Sequence, residues 1–242
     1  LRMFQEAHQP LVYATPHIGF ALSVDQDQFL SVAKARALRK LWAKAQEACG
    51  IAPSPAKIHV ETSYRMLSAR DPETNILRSA LAAFAAAAGG ADTISVLPHT
   101  LPQGLPDRRA RRLARNAQLV LSGETHLSFL GDPATGSEDL DILTASLCEA
   151  AWEEFRQIEA EGGLLSSLAA GLVQKRVREA RGHRLEKLKS DALKIVGTTV
   201  HTMPDAEKVP VLKAERREPP SDGVVFCERL PATRLDEMLG EA

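Results

Sequence analysis

Residues 75–124 constrain this chain more than any other stretch. An apolar, alanine-rich run ends at Gly89-Gly90. The segment Asp92 to Leu97 follows at once and carries the β-branched residues Thr93, Ile94 and Val96. Pro98, Pro102 and Pro106 then punctuate a loop before a stretch dense in arginine. Glycine tolerates the left-handed conformation that ends a helix, so Gly89-Gly90 reads as a helix stop. A β-branched run too short for a second helix reads as a buried strand. Helix, stop, strand, loop and helix in that order predict a parallel βα protein.

The same pattern recurs along the chain. Residues 1–8 read as the tail of a helix broken at Gln9-Pro10. With no initiator Met and no cap at Leu1, this start predicts a piece of a longer protein. Predicted strands are Ile18 to Ser23, Lys57 to Thr62, Asp92 to Leu97 and, more weakly, His126 to Gly131, starting 34 to 39 residues apart. Between them lie a helix capped by Asp25 or Asp27 and ending near Cys49, one opened by Asp71-Pro72, and one from Leu105 to about Glu124. A long helix from Glu138 to Glu161 should bury the face Leu143, Leu147, Ala151 and Phe155. Leu164 to Ala192 reads as one further helix, Lys194 to Val200 as a short strand, and 201–242 as an extended arm rich in proline and charge. Repeats of this length imply a parallel sheet or a (β/α)₈ barrel. Four strands would be only half of such a barrel.

Composition excludes several classes. With 44% hydrophobic and 25% charged residues the chain resembles an ordinary globular protein. A formal net charge of −1 points to neither nucleic acid nor an anionic membrane. The apolar run Ala80 to Ala88 is too short to span a bilayer. Cys49, Cys148 and Cys227 are distant and odd in number, which suits a reducing cytoplasmic compartment. The seven histidines show no metal-ligand spacing. Arg108, Arg109, Arg111, Arg112 and Arg115 could meet a phosphate or form a solvated helix face. Ser31 and Lys34 match Ser-x-x-Lys by chance within a helix. Since barrel chemistry sits at strand C-termini, His59, Thr62, Ser63, His99 and Thr100 are the candidate substrate contacts, against a reading as ordinary strand-end polar groups.

A set of short motifs resembles the adenosylcobalamin-dependent methylmalonyl-CoA mutase family. They are Ala88 to Asp92 (AGGAD), Arg115-Asn116-Ala117-Gln118, Glu124, Asp132-Pro133 with Gly136-Ser137, and Phe155 to Gly163 (FRQIEAEGG), in matching order and spacing over residues 15–200. The resemblance is to the small chain of the heterodimeric bacterial enzyme. It implies strands five to eight of a (β/α)₈ TIM-type barrel, with residues 1–199 as the partial barrel domain and 200–242 as a linker arm. It implies radical interconversion of methylmalonyl-CoA and succinyl-CoA in a cytoplasmic complex with a homologous catalytic chain that carries adenosylcobalamin. Asn116, Gln118 and Glu124 would be the cofactor-side positions, and no catalytic or metal-ligating residue is carried over. The family's catalytic Tyr-His pair lies on an earlier strand, and its cobalt-ligating Asp-x-His-x-x-Gly motif is absent from these 242 residues. Glu61-Thr62-Ser63-Tyr64 stands where catalytic chains read Gln-Thr-Ser-Gly, and Leu97-Pro98-His99-Thr100 where they read His-Thr-Asn. These departures imply a structural role. The alternatives are a fragment of a catalytic isobutyryl- or ethylmalonyl-CoA-type mutase chain, or a non-enzymatic binding module.

Overall fold

A computed structural model of the chain describes residues 1–202, 208–213 and 226–240. In order the elements are α1 (Arg2–Glu6), α2 (Leu11–Ala14), β1 (Gly19–Val24), α3 (Gln28–Ala48), β2 (Lys57–Thr62), α4 (Thr74–Ala88), β3 (Thr93–Ser95), β4 (Leu105–Pro106), α5 (Arg108–Gly123), α6 (Glu138–Ala160), α7 (Leu164–Ala169), α8 (Leu172–Lys189) and β5 (Val211–Leu212). The chain is mixed α/β with a parallel sheet. It divides into two compact units, one of residues 1–63, 79–97 and 115–152, the other of 64–78, 98–114 and 153–242.

The first unit holds a three-stranded parallel sheet in the order β1-β2-β3. Gly19 faces Lys57 and Val24 faces Thr62 across the first pair, and His59 faces Thr93 across the second. Strand β2 alternates without interruption: Ile58, Val60 and Thr62 are buried, while Lys57, His59 and Glu61 are exposed. Period-two alternation puts the apolar set on one sheet face. Asp27 caps α3, its carboxylate accepting from the Leu30 N–H at 3.2 Å. Helix α4 buries Ala82, Ala83, Ala85 and Ala86 completely and turns Leu77 and Leu81 to solvent. Small side chains allow the close approach recorded at Gly89, where an added Cβ would lie 3.2 Å from both Ala35 Cβ and Val32 Cα. At the N-terminal end of the sheet, Asp92 accepts from the Ile58 N–H at 2.7 Å and pairs with Arg39 at 3.1 Å.

In the second unit, β4 and β5 form a two-residue antiparallel ladder. Helices α6, α7 and α8 are joined by Arg176, which pairs with Glu161 at 2.7 Å and Glu154 at 2.6 Å. Ser167 Oγ also donates to Glu161.

Several expectations are corrected. No strand forms at His126 to Gly131: His126 takes a left-handed φ of 53°, and Leu127–Phe129 is a 3₁₀ turn. An extended run cannot pass through that backbone conformation. The helix expected from Leu105 starts at Arg108, because Leu105 and Pro106 pair with β5 and Asp107 then caps the helix, accepting from the Ala110 N–H at 2.8 Å. The helix expected to open at Asp71-Pro72 starts at Thr74, with Asp71 accepting from the Thr74 N–H. The single helix of 164–192 is broken at Gly171, whose φ is 74°. Residues 194–200 form a tight turn, closed by Gly197 N–H donating to Val200 O at 2.8 Å, in place of a strand. Helix α6 half-buries Leu140, Leu143 and Leu147 and buries Thr144, yet Ala151 and Phe155 are exposed. The buried stripe drifts around the helix as 3.6-residue spacing requires, so an i, i+4 row does not stay on one face. Of the arm expected at 200–242, residues 203–207, 214–225 and 241–242 lie outside the described residues.

Two outcomes test this packing. Gly89→Ala should cost about 1–3 kcal/mol in urea unfolding through overpacking, while Gly123→Ala, with open space around it, should be near neutral. The Glu161 carboxyl is pulled from 4.5 to about 2 by its hydrogen bonds from Arg176 and Ser167. Because its folded pKa is depressed, its stabilisation is complete above pH 4.5 and is lost as pH falls toward 2. Thermal melts of Glu161→Gln should lose that part of the acid dependence; identical acid slopes in both proteins would contradict it.

Candidate functional site

The strand-end residues singled out from sequence fall into different settings. In the first unit, Thr62 is fully buried and its Oγ1 accepts from the Leu97 N–H at 2.9 Å, joining the exits of β2 and β3. Ser63 N–H donates to Val24 O at 2.6 Å, continuing the parallel ladder one residue past the strand. His59 lies on the opposite, exposed sheet face, where Nδ1 meets Thr93 Oγ1 at 2.8 Å. Alternation therefore separates His59 from Thr62. The exposed face presents small and polar groups: Ala21, Ser23, His59, Glu61 and Thr93.

Asn116 and Gln118 are half-buried on α5, and Glu124 is exposed just beyond its end. Residues two apart on a helix point to different sides, so Asn116 and Gln118 do not converge on one ligand atom. The five arginines of 108–115 are likewise distributed: Arg108, Arg109, Arg111, Arg112 and Arg115 are all exposed, and Arg111 Nε donates to Pro106 O at 2.9 Å.

In the second unit, His99 and Thr100 are buried in the loop that follows β3. Thr100 Oγ1 has no hydrogen-bond partner among the described residues. Burial lowers the His99 pKa; Glu73 acts to raise it, Arg109 to lower it further and Asp107 to raise it, and burial prevails. A neutral imidazole results at neutral pH.

The residue that organises this loop is one the sequence reading passed over. Asn75 is completely buried in the first turn of α4. Its Oδ1 accepts from Ser68 N–H at 2.9 Å and from Arg78 Nη1 at 2.7 Å. Its Nδ2 donates to Ser68 O at 2.8 Å and His99 O at 3.0 Å. All four hydrogen-bonding positions of the carboxamide are thus used, which makes the buried amide affordable. Ser68 Oγ in turn lies 2.7 Å from Thr198 Oγ1. Arg78 is also buried, and burial lowers its pKa against the pull of Asp71 and Asp236. An asparagine directly after a threonine at a helix start carries no signal in one sequence that separates it from an ordinary surface cap.

Among the described residues no group of three His, Cys, Asp or Glu side chains could hold a metal ion. No described helix is long and apolar enough to cross a membrane.

A sequence model of the family described as methylmalonyl-CoA mutase matches residues 11–237. The methylmalonyl-CoA mutase small subunit of Streptomyces virginiae is 38% identical over 229 residues, covering 94% of this chain and 36% of the relative. The probable methylmalonyl-CoA mutase small subunit of Mycobacterium tuberculosis is 40% identical over 203 residues, covering 81% of this chain and 33% of the relative. The methylmalonyl-CoA mutase of Escherichia coli K12 is 29% identical over 225 residues, covering 91% of this chain and 31% of the relative. The chain spans about a third of the length of the curated relatives it matches.

The burial of His99 has a measurable consequence. Its imidazole should titrate below the ordinary histidine value of 6.5 in ¹H–¹⁵N NMR of the ring. With a depressed folded pKa, its neutral-state contribution to stability is full above pH 6.5 and declines as pH falls through the folded value. A midpoint at or above 6.5 would contradict the buried setting.

Proposed function

The chain belongs to the methylmalonyl-CoA mutase family, and from that premise we propose that it is part of the structural small subunit of an adenosylcobalamin-dependent acyl-CoA mutase. The assembled enzyme would interconvert methylmalonyl-CoA and succinyl-CoA as a cytoplasmic heterodimer with a homologous catalytic chain. The observation that carries this reading is the gradient of identity: 38–40% to relatives named small subunit, against 29% to the Escherichia coli mutase. In fold terms residues 1–199 would be the C-terminal half of a (β/α)₈ barrel and 200–242 a linker arm. The three parallel strands joined through helices, with β1 at an open sheet edge, support that assignment.

The residues present do not fit a complete cofactor site. Asn116, Gln118 and Glu124 do not converge, and the sequence lacks the cobalt-ligating Asp-x-His-x-x-Gly motif. Adenosylcobalamin therefore belongs to the partner chain in this reading. Three positions at the β2 exit support the same conclusion. Thr62 Oγ1 and Ser63 N–H are engaged within the sheet exits, and Tyr64 Oη accepts from Arg234 Nη1 at 2.8 Å. Groups already satisfied by the protein offer little to an acyl-CoA. The contribution of this chain is then positional: it supplies a packed surface for the catalytic barrel.

One observation favours a second reading. The exposed sheet face is small and polar, whereas the interior of an ordinary closed barrel is filled by bulky branched side chains. A face made of Ala21, Ser23, His59 and Thr93 could line a retained ligand channel in a catalytic acyl-CoA mutase chain.

Calorimetry on the parent chain, alone and with its catalytic partner, separates the two. Acyl-CoA and cobalamin binding only in the presence of the partner is expected. Tight binding by the parent chain alone would favour the second reading. His99→Ala should leave turnover of the assembled enzyme within a few-fold. A loss beyond about a hundredfold, nearly 3 kcal/mol of barrier, with assembly intact would overturn the structural role.

A further inference from the structure

The loop that leaves β2, residues 64–70, is not held by its neighbours alone. Three successive amides in it find side-chain acceptors: Ser68 N–H donates to Asn75 Oδ1, Arg70 N–H to Ser68 Oγ, and the Ala69 N–H between them to Asp236 Oδ2 at 2.7 Å. The first two acceptors are local. The third comes from 167 residues further along the chain. The same remote segment donates Leu235 N–H to Arg65 O at 3.0 Å. Arg234 donates to Tyr64 Oη and places its guanidinium 5.5 Å from that ring's centre.

Arg234 and Asp236 are 4% and 3% exposed, so this is a buried arrangement. Arg234 Nε pairs with Asp236 Oδ1 at 2.9 Å, and its Nη1 lies 2.8 Å from Glu237 Oε1. Removing one member of a buried pair strands the other, so the segment should seat or leave as a unit. Its other attachments among the described residues are the Glu228 carbonyl, which accepts from the buried Gln174 Nε2 at 3.2 Å, the surface pair Arg178–Glu228, and Arg181 donating to Pro231 O. A small apolar cluster of Leu188, Ile195 and Leu235, flanked by Leu193, Met238 and Leu239, completes it. Few apolar contacts around one polar pair describe an element that opens below the global unfolding limit.

We propose that residues 228–239 form a latch whose Arg234–Asp236 pair holds the β2-exit loop in its observed conformation and can release it without unfolding the sheet. The latched loop begins one residue after Ser63. This holds for either reading of the chain's function, because it concerns the protein's own loop and no particular ligand.

Hydrogen exchange on the parent chain, in complex with its partner where that is required for solubility, tests the latch. In Asp236→Ala, the Ala69 and Leu235 amides should exchange at least tenfold faster, together, while the β2 amides of Ile58 and Val60 stay as in the wild type. Unchanged Ala69 exchange would overturn the proposal, as would equal acceleration of the β2 amides, which would mean global loosening. Should Asp236→Ala fail to fold, Tyr64→Phe removes only the phenol's bond to Arg234. The latch predicts a smaller but still coupled acceleration of Ala69 and Leu235 in that variant, and no change there would equally overturn it.

Discussion

The parallel sheet depends on a polar knot at its N-terminal end. Arg39, projecting from α3, donates to Ala56 O at 2.8 Å, to Gly90 O, and to Asp92 Oδ2 at 3.1 Å. Asp92 accepts in turn from the Ile58 N–H. Burial opposes the Asp92 charge, but the Ile58 amide and the Arg39 guanidinium outweigh it and hold the carboxyl below its ordinary value. One guanidinium and one carboxylate thereby fix the start of β2 relative to the end of α4 and the entry to β3. A parallel sheet has no hairpin to set its register, so such ties between a helix and strand entries do that work. The opposite strand ends are then free to carry loops of variable chemistry.

Those loops are built differently. Asn75 uses every hydrogen-bonding position of its amide to hold Ser68, Arg78 and the His99 carbonyl. Asp236 adds a long-range acceptor for Ala69. A buried polar network of this kind specifies one loop conformation when every member is satisfied. A loop fixed by its own protein is a poor starting point for a substrate pocket, which accords with a structural subunit. The small, polar outer face of the sheet is the counterweight, and it is why binding by the parent chain alone is the informative comparison.

Much of the fold was legible in the sequence because its signals are local. Asp25 or Asp27 announced the start of α3, where Asp27 proves to be the cap, and Gly89-Gly90 announced the end of α4. The alternation of Lys57-Ile58-His59-Val60-Glu61-Thr62 defined β2 to the residue. Where a signal competed with backbone geometry the reading failed. The apolar run at 126–131 looked like a strand, but the left-handed His126 starts a 3₁₀ turn instead. The Val-rich run at 194–200 was caught by Gly197 in a tight turn. The family itself was legible from short motifs in the right order and spacing.

The sequence by itself determined the α/β class, the parallel strands of the sheet, the extents of α3 and α6, the end of α4 and the family, because periodicity and glycine, proline and aspartate punctuation act over a few residues. Only the tertiary structure decided that His59 meets Thr93 and Thr62 meets the Leu97 amide, that Asn75 is a hub, and that Arg234 reaches Tyr64 across 170 residues. Those facts depend on which polar groups are brought within 3 Å of each other. That is set by the packing of whole elements, and no local pattern encodes it.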